Sequence, residues 1–113
     1  MTSRLAQVCV SAVDTDVLAA FWCAVTGWVV REEDGGFLDT GPADGGPGLD
    51  FQPVPTGKAG INRLHLDLRA DGDRAAELER LLSLGAVRGD VGQGPDVTWT
   101  VLADPEGNEF CLL

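Results

Sequence analysis

The chain predicts an α+β fold made of two tandem βαβββ modules, module one over residues 1–58 and module two over 59–113. Three observations carry this. Short stretches alternate apolar and polar residues, as half-buried strands do. Each half holds one helical stretch with side-chain acceptors before it and a glycine after it. A shift of 58 lays Gln7 on His65, Val8 on Leu66, Val10 on Leu68 and Gly27 on Gly85 without a gap, and a shift of 59 lays Phe51 on Phe110 and Gln52 on Cys111. Few residues are identical between the halves, so the order of elements makes the case for a duplicated module.

The elements follow in order. Residues 5–12, LAQVCVSA, read as a strand with Val8, Val10 and Ala12 on one face and Gln7, Cys9 and Ser11 on the other. Asp14, Thr15 and Asp16 offer oxygens to the free amides of a helix start, and the helix VLAAFWCAVT stops at Gly27. It is apolar nearly all round, so its core face is not resolved by the pattern, and Phe21 and Trp22 are free to pack on a partner. WVVRE and FLDT flank the turn Asp34-Gly35-Gly36, residues 41–48 form a loop, and LDFQPV closes the half. In the second half, residues 62–70 alternate, with Leu64, Leu66 and Leu68 against Arg63, His65, Asp67 and Arg69. Asp71-Gly72-Asp73 caps a helix ending at Gly85, with Ala75, Leu78, Leu81 and Leu82 as its apolar stripe and Arg74, Glu77 and Arg80 on the wet side. AVRGD, VTWTVLA and EFCLL are strands, the last two joined by the tight turn Asp104–Asn108.

Composition narrows the function. Eighteen acids against eight bases give a net charge of −10, which argues against a nucleic-acid partner. Such charge either attracts a cationic ligand or only aids solubility. No apolar run approaches the ~20 residues of a membrane span. The opening, MTSRLAQVCVSA, is too short and too broken for a secretory leader, so a cytoplasmic protein is expected. Cys9, Cys23 and Cys111 are odd in number and never form a CxxC pair; in a reducing compartment they read as small hydrophobes.

AAFWCAVTGW, NRLHLDLRA and above all VLADPEGNEFCLL resemble the vicinal oxygen chelate superfamily, which includes glyoxalase I, bleomycin-resistance proteins, fosfomycin-resistance enzymes and extradiol dioxygenases. Within it the chain is most similar to short actinobacterial glyoxalase-like domain proteins. The resemblance spans the chain and implies a single glyoxalase-like domain over 1–113, whose modules form a curved, open mixed sheet (a half-barrel) around a cleft, with helices on the convex side. It also implies a homodimer. Metal-using relatives place ligands at four concave-face positions, which fall here on Gln7, Gln52, His65 and Cys111. Those relatives usually offer His and Glu, whereas this set holds one imidazole, one thiol and two amides. No metal or other cofactor is therefore expected.

His65, the only histidine, has Asp67 two residues on. That pairing suits a general base, or a histidine simply hydrogen-bonded on its sheet. Trp28 and Trp99 are either core or interface residues, or an aromatic wall that works with Asp50 and Asp67 to bind a planar or cationic molecule. The favoured reading is a metal-free small-molecule-binding protein whose ligand touches Gln7, Cys9, Asp50, Gln52, His65, Asp67, Trp99 and Cys111. The alternative is an enzyme of the same superfamily that uses a metal, or His65 as base.

Overall fold

The structure, a computed structural model, describes residues 1–89 and 99–113. Its backbone falls into two units, Met1–Gly57 and Lys58–Leu113. The first runs β1 (Gln7–Ala12), α1 (Thr15–Thr26), β2 (Val29–Asp34), β3 (Phe37–Gly41) and β4 (Gly48–Pro53). Its sheet has the order β1-β4-β3-β2, with β1 parallel to β4 and the other pairs antiparallel. The second runs β5 (Leu66–Leu68), α2 (Arg74–Leu84), β6 (Val87–Arg88), β7 (Thr100–Ala103) and β8 (Glu109–Leu112). Its order, β5-β8-β7-β6, repeats the first, again with one parallel pair, β5 with β8. Both halves are therefore βαβββ units with open four-stranded mixed sheets.

The same devices set both helices. Asp14 accepts from the Val17 amide at 3.1 Å and Asp73 from the Ala76 amide at 2.9 Å, filling amides that a helix start leaves free. Gly27 and Gly85 end the helices at φ 77° and 119°, a left-handed conformation that only glycine takes without strain. In the first unit α1 packs on β3 and β4. Leu18, Ala19, Phe21, Trp22 and Val25 are buried with Leu38, Leu49 and Phe51. Phe21 and Trp22 meet edge to face, centroids 5.2 Å apart, inside the chain rather than on a partner's surface. Their burial settles the face that the all-round apolar pattern left open.

Several elements depart from the sequence reading. The first strand begins at Gln7, and of its apolar face only Ala12 is buried, because β1 lies at a sheet edge. The strand expected over 62–70 is only Leu66–Leu68, so Leu64 is exposed and His65 stands in the turn before β5. Side chains hold that approach. The Glu109 carboxylate accepts from the Asn62 amide at 2.9 Å and from Lys58 at 2.7 Å, and Asn62 Nδ2 donates to Asn108. An amide bonded to a carboxylate is withdrawn from the strand ladder. On α2, only Leu81 is fully buried and Ala75 is exposed. Arg74 is not a wet-side residue: it donates to Thr100 Oγ1 and to the carbonyls of Leu112 and Leu113. The strand expected to contain Trp99 begins at Thr100. The readings on Asp90, Val97 and Thr98 lie outside the described residues.

Candidate functional site

Strand register assembles a polar face on the first sheet. In the parallel β1–β4 pair, Cys9 lies beside Asp50 and Ser11 beside Gln52. Residues opposite each other point to the same side of a sheet. Two hydrogen bonds show this directly: Gln7 Nε2 donates to Asp50 Oδ2 at 2.6 Å, and Gln52 Nε2 donates to Ser11 Oγ at 3.0 Å. Leu49 and Phe51, which alternate with these residues, go to the apolar side. Gln7, Cys9, Asp50 and Gln52, all expected ligand contacts, thus share one face. Gly48, opposite Gln7, lets β3 come close to β4: a Cβ there would run into the Thr40 carbonyl.

Asp39 and Arg31 join this face without having been foreseen. Asp39 lies directly opposite Asp50 in the antiparallel β3–β4 pair. A register shift between Val30 and Glu32 leaves Arg31 out of the β2–β3 ladder, and such bulges re-aim a side chain. Arg31 Nε and Nη2 grip the two Asp39 oxygens at 3.0 Å each, while Nη1 donates to the Gly46 carbonyl at 2.7 Å. A planar fork on a carboxylate is a strong, directional pairing.

The electrostatics are lopsided. Asp50 is 2% exposed, and its Oδ1 receives no hydrogen bond among the described residues. Burial, with the Asp39 carboxyl alongside, pushes Asp50 up to about 6. The Arg31 fork holds Asp39 below the ordinary carboxylate range. Desolvation and then the Asp50 charge raise the Cys9 thiol, so thiolate chemistry is disfavoured there.

The other expected contacts lie on the second unit. Asp67 lies beside Cys111 across the β5–β8 pair. Burial and then the Asp67 carboxylate raise the Cys111 thiol, which is 7% exposed. His65 is exposed, and its Nε2 lies 3.0 Å from the Asn62 carbonyl, so its partner is not Asp67. Trp99, 40% exposed, immediately precedes β7.

Residues 7–113 match the family described as Glyoxalase-like domain. The chain belongs to that family. No curated protein matches this glyoxalase-like chain. Solved structures share its fold. A glyoxalase/bleomycin resistance protein/dioxygenase family enzyme from Burkholderia phytofirmans PsJN is 22% identical, with 97% of each chain covered and a TM-score of 0.70. TnmS3, an antibiotic binding protein from Streptomyces sp. CB03234, is 20% identical, with 98% of this chain and 94% of that one covered and a TM-score of 0.64. Oxidase ChaP-H2 is 18% identical, with 99% and 93% covered and a TM-score of 0.62.

The residues at the four positions where the resemblance places metal ligands include no carboxylate, which does not match the preference of a divalent ion. Gln7 and Gln52 are neutral amides, which bring no negative charge to balance a divalent ion. Among the described residues, no three His, Cys, Asp or Glu side chains gather as a cation site.

Proposed function

We propose that this glyoxalase-like domain is a metal-free binding protein, which holds a small organic ligand, cationic or aromatic, in the cleft that the family's sheets form. The observation that carries the reading is the polar face of the first sheet: Gln7, Cys9 and Gln52 are exposed around the buried Asp50. A few fixed polar groups on an otherwise apolar scaffold are how small-molecule sites orient their ligands. The likeness in fold to an antibiotic binding protein supports binding without turnover, while the likeness to an oxidase shows that the scaffold also serves enzymes. Gln7, Gln52, His65, Asp67, Trp99 and Cys111 belong to this proposal as ligand contacts. So do a homodimer and a cytoplasmic setting; no helix among the described residues is long and apolar enough to cross a membrane.

The test is a panel of aromatic and cationic small molecules, antibiotics included, titrated against the intact chain. Trp99, exposed beside β7, reports by fluorescence, and thermal unfolding reports independently. A ligand at about a hundred times its Kd stabilises the fold by roughly 2.7 kcal/mol, a shift easily seen at this size. A panel that neither quenches nor stabilises rejects the proposal.

A further inference from the structure

The geometry points to the Asp39–Asp50 carboxyl pair as the seat of the ligand's positive charge, so that the ligand carries a protonated amine or amidine. This deepens the binding reading above and rests on it. The pair is one positive group short. Two carboxyls face each other across β3 and β4, and one guanidinium serves them. Arg31 spends its fork on Asp39 and its remaining amino group on the Gly46 and Pro42 carbonyls. Asp50 has one neutral donor, the Gln7 amide on Oδ2; Oδ1 accepts from no donor among the described residues, and the hydrogen bond between the Asp50 and Asp39 carboxyls lasts only while one of the two keeps its proton.

A carboxylate buried to 2% exposure without a charged partner is an expensive arrangement in a fold. An ammonium group answers both deficits. It brings the missing charge, and its several N–H donors can bridge Oδ1 of Asp50 and the facing Asp39 carboxyl. An anion or a neutral acceptor would leave Oδ1 bare and add repulsion. Gln7, the one neutral donor on the pair, is exposed and opens an edge strand, so the approach to the carboxyls lies on its side of the sheet. Cys9 and Gln52 then flank the bound group on the same face.

The experiment uses two probes of one shape, benzylammonium and benzyl alcohol, titrated into the intact chain and into Asp50→Asn at neutral pH. Tryptophan fluorescence and calorimetry read affinity, and thermal unfolding shows that the variant is folded. The wild-type chain is expected to bind benzylammonium about tenfold or more tightly than the alcohol, since both can donate to the carboxylate but only the ammonium adds charge–charge attraction in a site shielded from water. Asp50→Asn should lose that preference, so that its affinities for the two probes converge. Equal affinities in the wild-type chain overturn the subsite, as does a preference that survives in Asp50→Asn. If neither probe binds but other members of the panel do, the carboxyl pair is not the charge seat and the binding reading stands. If nothing in the panel binds, both fall together.

Discussion

The two units follow one chain path and fill it differently. Their helices begin at Asp14 and Asp73 and end at Gly27 and Gly85, and their sheets share one strand order. Yet α1 buries Thr15, Leu18, Ala19, Phe21, Trp22 and Val25, whereas α2 buries only Leu81. The first sheet has strands of five or six residues, and those of the second have two to four. The side of the first sheet that carries Asp50 is polar and charged. The matching side of the second pairs Asp67 with a buried Cys111 and sets Val101 opposite it. Caps and glycines therefore specify where the chain turns. The side chains on each face are free to diverge, and the polar, charged face belongs to the first unit.

The largest expected effect tests whether the units rest on equivalent cores. Phe51 and Phe110 occupy matching places in β4 and β8, at 0% and 1% exposure. Truncating either to alanine should cost about 3–5 kcal/mol, the range for deleting a buried ring. Urea unfolding of the two variants reads the comparison. A loss below about 1 kcal/mol in either would show that the shared path conceals unequal cores.

A smaller effect separates the units by charge. Asp50 titrates at about 6 in the fold against an ordinary 3.8, so its ionised form is the disfavoured one. Below the unfolded value both states carry the proton, and the group contributes nothing. Between about pH 4 and pH 6 the unfolded chain ionises first, so stability falls as pH rises, and above that window the full cost persists. Asp50→Asn keeps an acceptor for Gln7 and removes the charge. It should stabilise the protein by about 1–3 kcal/mol near pH 8, do little near pH 4, and flatten the slope between. Thermal unfolding across that pH range checks the sign, and destabilisation near pH 8 would contradict it.

Much of the path was legible in the sequence. Alternation in LAQVCVSA and LDFQPV puts Gln7, Cys9, Asp50 and Gln52 on one face, because a period of two leaves no other choice once both segments are strands. Asp14, Gly27, Asp73 and Gly85 mark the helix ends through local chemistry that needs no distant partner. His65 was misplaced because alternation continues through residues 62–65 while the backbone leaves the ladder, and Glu109, 47 residues away from Asn62, takes the amide. The Arg31–Asp39–Asp50 set was missed for the same physical reason. Counting back from the Asp34-Gly35-Gly36 turn brings Glu32 opposite Asp39, which was within reach of the sequence. The bulge that swings Arg31 onto Asp39, and the pairing of β3 with β4, depend on contacts that no local pattern encodes.

The helix caps give the finest test of the comparison. Asp14 and Asp73 make the same bond, to amides three residues on, at 3.1 and 2.9 Å. Alanine at either position should cost about 1 kcal/mol of global stability. Their local consequences should differ. Six buried side chains hold α1 in place, so losing its cap leaves the helix packed and its amides protected. With Leu81 alone fully buried and Arg74 pinned to the end of β8, α2 leans more on its cap, since packing rather than propensity supplies most of a helix's stability. Hydrogen exchange should therefore show the α2 amides opening sub-globally in Asp73→Ala, while the α1 amides of Asp14→Ala exchange only with global unfolding. Equal local protection in the two variants would mean that α2 is held by its half-buried residues, Leu78 and Leu82, as firmly as α1 is by its core.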